Sequence, residues 1–192
     1  MPMAPRIEIA AIAGSLRAGS WARALLRAAA DRVPPCVGLT IWEGLEEVPP
    51  FNEDRETRPA HPAVAEMRAL VEGSGALLIV TPEYNGSLPG VLKNALDWAS
   101  RPYGASALQS RPVAALGTSP LPSGGASALS DLKRLLMRIR ADVVDAELAV
   151  GKVHTKVVDG KIADPELADQ IDQLLAAIAE HAAARVSVLV DA

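Results

Sequence analysis

Residues 76–98 read ALLIVTPEYNGSLPGVLKNALDW. ALLIV (76–80) is a short unbroken apolar run, the pattern of a strand buried on both faces of a parallel sheet. Pro82, Glu83, Tyr84, Asn85 and Gly86 follow at once: a rigid residue, an acid, an aromatic, an amide and a glycine in consecutive positions. A helix is expected from about 88 to 100, with Pro89 tolerated in its first turn. A buried strand that passes through a chemistry-rich loop into a helix is the unit of an α/β fold.

The rest of the chain repeats that unit. RIEIAAIAG (6–14), VGLTIW (37–42), PVAALG (112–117) and DVVDAELAV (142–150) are expected strands. Apolar residues at helical spacing lie between them: Trp21, Leu25, Ala28, Ala29 and Val33 within 20–33, then Val64, Met67, Leu70 and Val71, then Leu129, Leu132, Leu136 and Ile139. Asp164 as N-cap with Pro165 at the first helical position starts a final helix through Leu167, Ile171, Leu174, Leu175 and Ile178. GLEEVPPFNEDRETRPAHP (44–62) is a polar, proline-rich connection, long enough to be functional or to cover a neighbour. The tail RVSVLVDA (185–192) has no clear place. Five strands alternating with helices imply a parallel sheet covered on both faces, within a single domain over 1–192.

Composition narrows the function classes. The chain has 192 residues, 49% of them apolar and 3% aromatic, so the core must come from Ala, Val, Leu and Ile. The net charge is -4, with no block of Lys and Arg. Neither a nucleic acid nor a membrane is an expected partner. The start, MPMAPRIEIAAIAG, reads as a strand because Glu8 interrupts what a signal peptide would keep apolar. With one cysteine, Cys36, read as a small core residue, a cytoplasmic protein is expected. His61, His154 and His181 are too scattered to suggest a metal site, and Lys93 and Asp97, four apart, read either as a helix pair or as residues of the active site or an interface.

In such sheets ligands bind beyond the carboxyl ends of the strands. That directs attention to GSLRAGS (14–20), TPEYNGS (81–87) and GTSPLPSGG (117–125). The first leads into a helix N-terminus, where free N–H groups favour an anion. Ser15 and Ser20 add hydroxyls and Arg17 a fixed charge. The Lys-Ser/Thr pair of a Walker A loop and the GxGxxG of a dinucleotide site are both missing, so a phosphate monoester fits better. The bland alternative is an ordinary turn with Ser20 as N-cap. The second loop suits a flat polar heterocycle, with Asn85 to donate and accept, Tyr84 to offer a ring or a hydroxyl, and Gly86 to permit close approach. Its bland alternative is a strand end with Ser87 capping the next helix. In the third loop Ser119 and the glycines Gly124 and Gly125 could close the other side.

Taken together, GSLRAGS, PEYNGSLPGVLKNALDW and GTSP…GG resemble the NADPH-dependent FMN reductase family, which includes bacterial quinone, chromate and azo-dye reductases. The resemblance runs from the first strand through DGKIAD (159–164). It implies a flavodoxin-like three-layer sandwich with strand order 2-1-3-4-5. It further implies that Ser15, Arg17 and Ser20, with the amides of Trp21 and Ala22, hold the FMN phosphate. Pro82, Glu83, Tyr84, Asn85 and Gly86 would line the isoalloxazine and ribityl chain, and Ser119 would border the flavin. Electrons would pass from NADPH or NADH through FMN to quinones or similar small acceptors, with no catalytic side chain, in a homodimer or homotetramer. Two places depart from the family's pattern: Ala22 stands where Asn is usual, and Ser127 and Leu129 stand where Arg and Gln are often found. The alternatives are a flavodoxin-type electron carrier, disfavoured by the modest charge and few aromatics, and a binding or scaffold protein without reductase activity.

Overall fold

The computed structural model describes residues 6–56 and 60–190. Alternation along β1 (Ile7–Ala13) sends Ile9, Ala11 and Ala13 to one face and Ala10 and Ile12 to the other. The other strands do the same: β2 (Val37–Trp42), β3 (Ala76–Pro82), β4 (Pro112–Thr118) and β5 (Asp142–Val150). All pair in parallel, in the order β2-β1-β3-β4-β5. Each connection carries a helix: α1 (Trp21–Ala30), α2 (Pro62–Gly73), α3 (Gly90–Ala99) and α4 (Ala126–Arg138). After β5 come a single turn, α5 (Val153–Lys156), a small hairpin of β6 (Val157–Val158) and β7 (Lys161–Ile162), and the long α6 (Pro165–Val190). The flavodoxin-like three-layer arrangement with order 2-1-3-4-5 is therefore present.

Two apolar layers hold the sandwich. Leu25 and Leu26 of α1 and Ile171, Leu175 and Ile178 of α6 pack on Leu78, Val80 and Leu116. On the other face Val64 and Met67 of α2, Leu92 and Leu96 of α3 and Leu132 and Leu136 of α4 pack on Leu77, Ile79 and Val113. Small side chains at Ala10, Ala11, Ala114 and Ala115 let the helices approach the sheet without large aromatics. At the free edge, β5 bulges opposite Ala114, where its register against β4 shifts. A bulge twists an edge strand and blunts its tendency to pair with other chains.

The long connection covers a neighbour. It forms short 3-10 turns at Gly44–Glu47 and Glu53–Arg55 and lies along α3. The Asn94 side chain accepts from the Phe51 N–H at 2.7 Å and donates to the Pro49 carbonyl at 2.9 Å; Trp98 Nε1 donates to the same carbonyl at 2.8 Å. Arg68 donates through Nε and Nη2 to the Trp98 carbonyl near the end of α3, and burial pulls its guanidinium pKa below the usual value.

Several boundaries differ from the expectation. α1 ends at Ala30, because Val33 precedes Pro34 and such a residue is pushed out of helical geometry. Pro89 is the N-cap of α3, in extended backbone, and Gly90 is the first helical residue. The apolar tail continues α6 as far as Val190. Cys36 is exposed in the turn before β2, so it is not a core residue. Residues 1–5 of the start, 57–59 of the connection and 191–192 of the tail lie outside the described residues. Among the described residues no helix is long and apolar enough to cross a membrane.

Two substitutions separate core packing from capping. Leu78→Ala opens a cavity in the central strand and should cost about 2–5 kcal/mol. Asp164→Ala removes the acceptor of the Leu167 N–H, now at 2.7 Å, and should cost only about 1 kcal/mol. Urea denaturation with an unchanged slope checks both, and equal losses would mean that the β3 core is looser than described.

Candidate functional site

The carboxyl ends of β1, β3 and β4 meet at one edge of the sheet. After β1 the chain is held to its neighbour by the Gly14 N–H, which donates to the Val80 carbonyl at 2.8 Å. Ser15 is buried. A turn closed by the Ser20 N–H on the Arg17 carbonyl, 3.0 Å, brings the chain to α1. Ser20 is the N-cap: its Oγ accepts from the Arg23 N–H at 3.4 Å. That cap satisfies one donor of the first turn. The N–H groups of Trp21 and Ala22 have no acceptor among the described residues. Arg17 is exposed and has no ion-pair partner among the described residues. Ser20 as an ordinary N-cap and this turn as an anion cradle are thus both compatible with the geometry.

The loop after β3 is a two-residue hairpin. Tyr84 N–H donates to the Ser87 carbonyl at 2.9 Å and Ser87 N–H returns to the Tyr84 carbonyl at 3.2 Å. Asn85 at φ 53° and Gly86 at φ 78° occupy the two left-handed positions. A type I′ turn needs positive φ at both, and Asn-Gly is the pair that tolerates it best. The N–H groups of Asn85 and Gly86 are left pointing out of the turn with no acceptor among the described residues. Tyr84 reaches back to the first loop, where its hydroxyl lies 3.0 Å from Ser15 Oγ. Glu83 points the other way: its Oε2 accepts from the Ser127 N–H at 3.1 Å and the Ala128 N–H at 3.4 Å. Ser87 does not cap α3; its Oγ donates to Asp131 Oδ2 at 2.7 Å.

The loop after β4 leans toward β5. Ser119 N–H donates to the Val150 carbonyl at 3.1 Å, and Ser119 Oγ accepts from the Leu121 N–H at 3.1 Å. Gly125, at φ 78°, is the N-cap of α4; a Cβ there would sit 3.2 Å from the Thr118 backbone. Thr118 itself pairs with Pro82 across the sheet, and its hydroxyl is buried without a hydrogen-bond partner. In the sequence Thr118 carries only a weak signal, a hydroxyl at the last position of an apolar strand, beside the more conspicuous Ser119 of the loop. This orphaned donor beside the Pro82–Gly86 turn fits a polar ligand with several acceptor atoms, as FMN has, because a buried hydroxyl is costly to leave unpaired. The first and second loops are joined by Ser15 and Tyr84, and the second and third by Glu83 and α4.

A groove of about 860 Å³ opens directly beside this edge, between α3 and α4. Leu88, Lys93, Asp131, Leu135, Met137 and Arg138 line it. Lys93 and Asp97 form the expected helix pair at 2.7 Å, on the same face of α3. Among the described residues no group of three or more His, Cys, Asp or Glu is placed to hold a metal ion.

The chain matches the NADPH-dependent FMN reductase family over residues 7–155. It is 34% identical to an NAD(P)H-dependent FMN reductase of Pseudomonas aeruginosa over 178 residues, 92% of this chain and 95% of that protein. It is 39% identical to a quinone reductase of Pseudomonas putida over 130 residues, 68% of this chain and 69% of that one. In structure it is similar to the NAD(P)H:acceptor flavoenzyme FerB of Paracoccus denitrificans, with a TM-score of 0.81 and 29% identity over 91% of this chain and 96% of that one. The match spans all five strands and the three loops at their carboxyl ends, and on it the chain belongs to the NADPH-dependent FMN reductase family.

Proposed function

We propose that the three-loop edge is the flavin crevice of an NAD(P)H-dependent FMN oxidoreductase that passes two electrons to quinones or similar small acceptors. The observation that carries this reading is the set of unpaired donors along one edge: the Trp21 and Ala22 amides with the Arg17 guanidinium, the Asn85 and Gly86 amides, and the buried Thr118 hydroxyl. In this reading the whole chain, 1–192, works as one flavin-binding domain.

The residues divide the work by chemistry. Arg17, Ser15, Ser20 and the first amides of α1 take the phosphate dianion, where helix dipole and guanidinium act in the same direction. Pro82 and Tyr84 shape the second loop, and the Asn85 and Gly86 amides would donate to the ring system. Donors fixed there stabilise negative charge without reorganising. Thr118 and Ser119 close the third side. Bound FMN supplies the hydride and electron chemistry, and the protein's share is to bind, orient and shield. No side chain at the edge is required as an acid or base.

The oligomer belongs to the same reading. A second copy of the chain covers the α3–α4 groove, where Met137 is 59% exposed beside Leu88 and Leu135. Asp131 and Arg134, paired at 2.8 Å within the chain, line that groove with Lys93 and Arg138, so its apolar residues rather than its charges would hold a two-fold related copy. We place the protein in the cytoplasm in this reading, where NADPH or NADH would be available to it.

The visible spectrum tests the function. The purified protein with added FMN should show a bound-flavin spectrum that NADPH or NADH bleaches and a quinone restores. Flavin that binds but is not reduced by either nucleotide would favour an electron carrier; no binding at all would remove both readings. Arg17→Ala should weaken FMN binding by roughly 1.5–3 kcal/mol, measured by fluorescence quenching; an unchanged Kd would mean that the phosphate lies elsewhere. Met137→Asp should shift the sedimentation profile toward monomer, and an unshifted profile would move the interface off this groove.

A further inference from the structure

Glu83 stands in the middle of the second loop, yet its carboxylate is committed to another element. Its Oε2 accepts from the N–H groups of Ser127 and Ala128, at 3.1 and 3.4 Å. Those are the second and third residues of α4. Helices of this kind are usually capped by the residue that precedes them. Here that residue is Gly125, which has no side chain and cannot gain one easily, since a Cβ would crowd Thr118. The cap therefore comes from a different strand's loop, and it places a negative charge at the positive end of α4. Four residues later Ser87 Oγ donates to Asp131 Oδ2 at 2.7 Å, a second bond to the same helix. The hairpin that displays the Asn85 and Gly86 amides is thus fastened to α4 on both sides of its turn.

We infer that Glu83 is a positioning residue: it sets the second loop's place by gripping the N-terminus of α4, and flavin affinity depends on that grip. The inference rests on reading the three-loop edge as the flavin crevice. Pro82 fixes the backbone before Glu83, and the type I′ turn fixes it after Tyr84. Between these rigid pieces the Glu83 side chain decides where the hairpin sits relative to β4. Without it, the remaining side-chain ties of the hairpin among the described residues are Tyr84 to Ser15 and Ser87 to Asp131.

The experiment titrates FMN into wild type, E83A, E83Q and E83D, at a temperature well below each thermal midpoint. E83A should bind about tenfold more weakly, whereas E83Q should stay within about threefold, because its Oε1 still accepts from the same N–H groups. The bound-flavin spectrum of E83Q should match that of wild type. A lower thermal midpoint in E83A with unchanged FMN affinity would make Glu83 a helix cap and nothing more, and overturns the inference. So does E83Q falling as far as E83A, since the charge and not the acceptor position would then matter. If E83A does not fold, E83D decides: it keeps the charge but draws the carboxylate back by one methylene from the Ser127 and Ala128 N–H groups, and should weaken binding by about three- to tenfold, with unchanged affinity overturning the inference. A wild-type protein that takes up no FMN would instead defeat the proposed function itself.

Discussion

The rest of the site depends on one backbone constraint, the reversal of the chain within two residues at Asn85 and Gly86. Both residues lie at positive φ, which most side chains resist. Because the turn is that tight, Tyr84 and Ser87 pair with each other and the outward amides between them have no partner among the described residues. Every other contact of the loop follows from where this turn stands. Tyr84 is thrown back onto Ser15, Glu83 forward onto α4, and Ser87 onto Asp131. A wider loop could satisfy its own amides and would have nothing to offer a ligand.

The parallel sheet is what makes that turn useful. β1, β3 and β4 are neighbours, so their carboxyl ends open side by side. The first brings a helix N-terminus with two free amides, the second a hairpin with two more, the third a buried hydroxyl. None of the three would define a ligand alone. Side by side they line one edge with donors, which is what the proposed flavin crevice rests on.

Much of this was legible in the sequence, for a physical reason. Strands buried on both faces read as unbroken apolar runs, so ALLIV and PVAALG marked the sheet, and Asp164-Pro165 marked the last helix. Asn85-Gly86 carried its turn type in its residue pair. What stayed hidden was the direction of side chains set by distant neighbours. Glu83 in sequence is simply an acid in a polar loop; its partners lie more than forty residues further on. Thr118 was masked by its place at the end of a strand, where its lack of a partner depends on packing. Cys36 looked like a core residue because cysteine usually is one, and only the turn before β2 exposes it.

The position of α4 carries the last step. Its N-terminus is gripped by the Pro82–Gly86 loop through Glu83, its first turns hold Ser87 through Asp131, and its outer face with α3 forms the groove. A helix is stiff over this length, so a partner that seats on the groove and a ligand that seats in the loop act on the same rigid body. Coupling between two sites is reciprocal: if docking at the groove steadies α4, it steadies the loop, and a filled loop steadies the docking face in return. The departures at Ser127 and Leu129 fall on this same helix. Ser127 meets Glu83 through its backbone N–H, which any residue except proline supplies, and Leu129 is buried in the core. The grip on the loop is therefore independent of the very side chains in which this chain differs from its family.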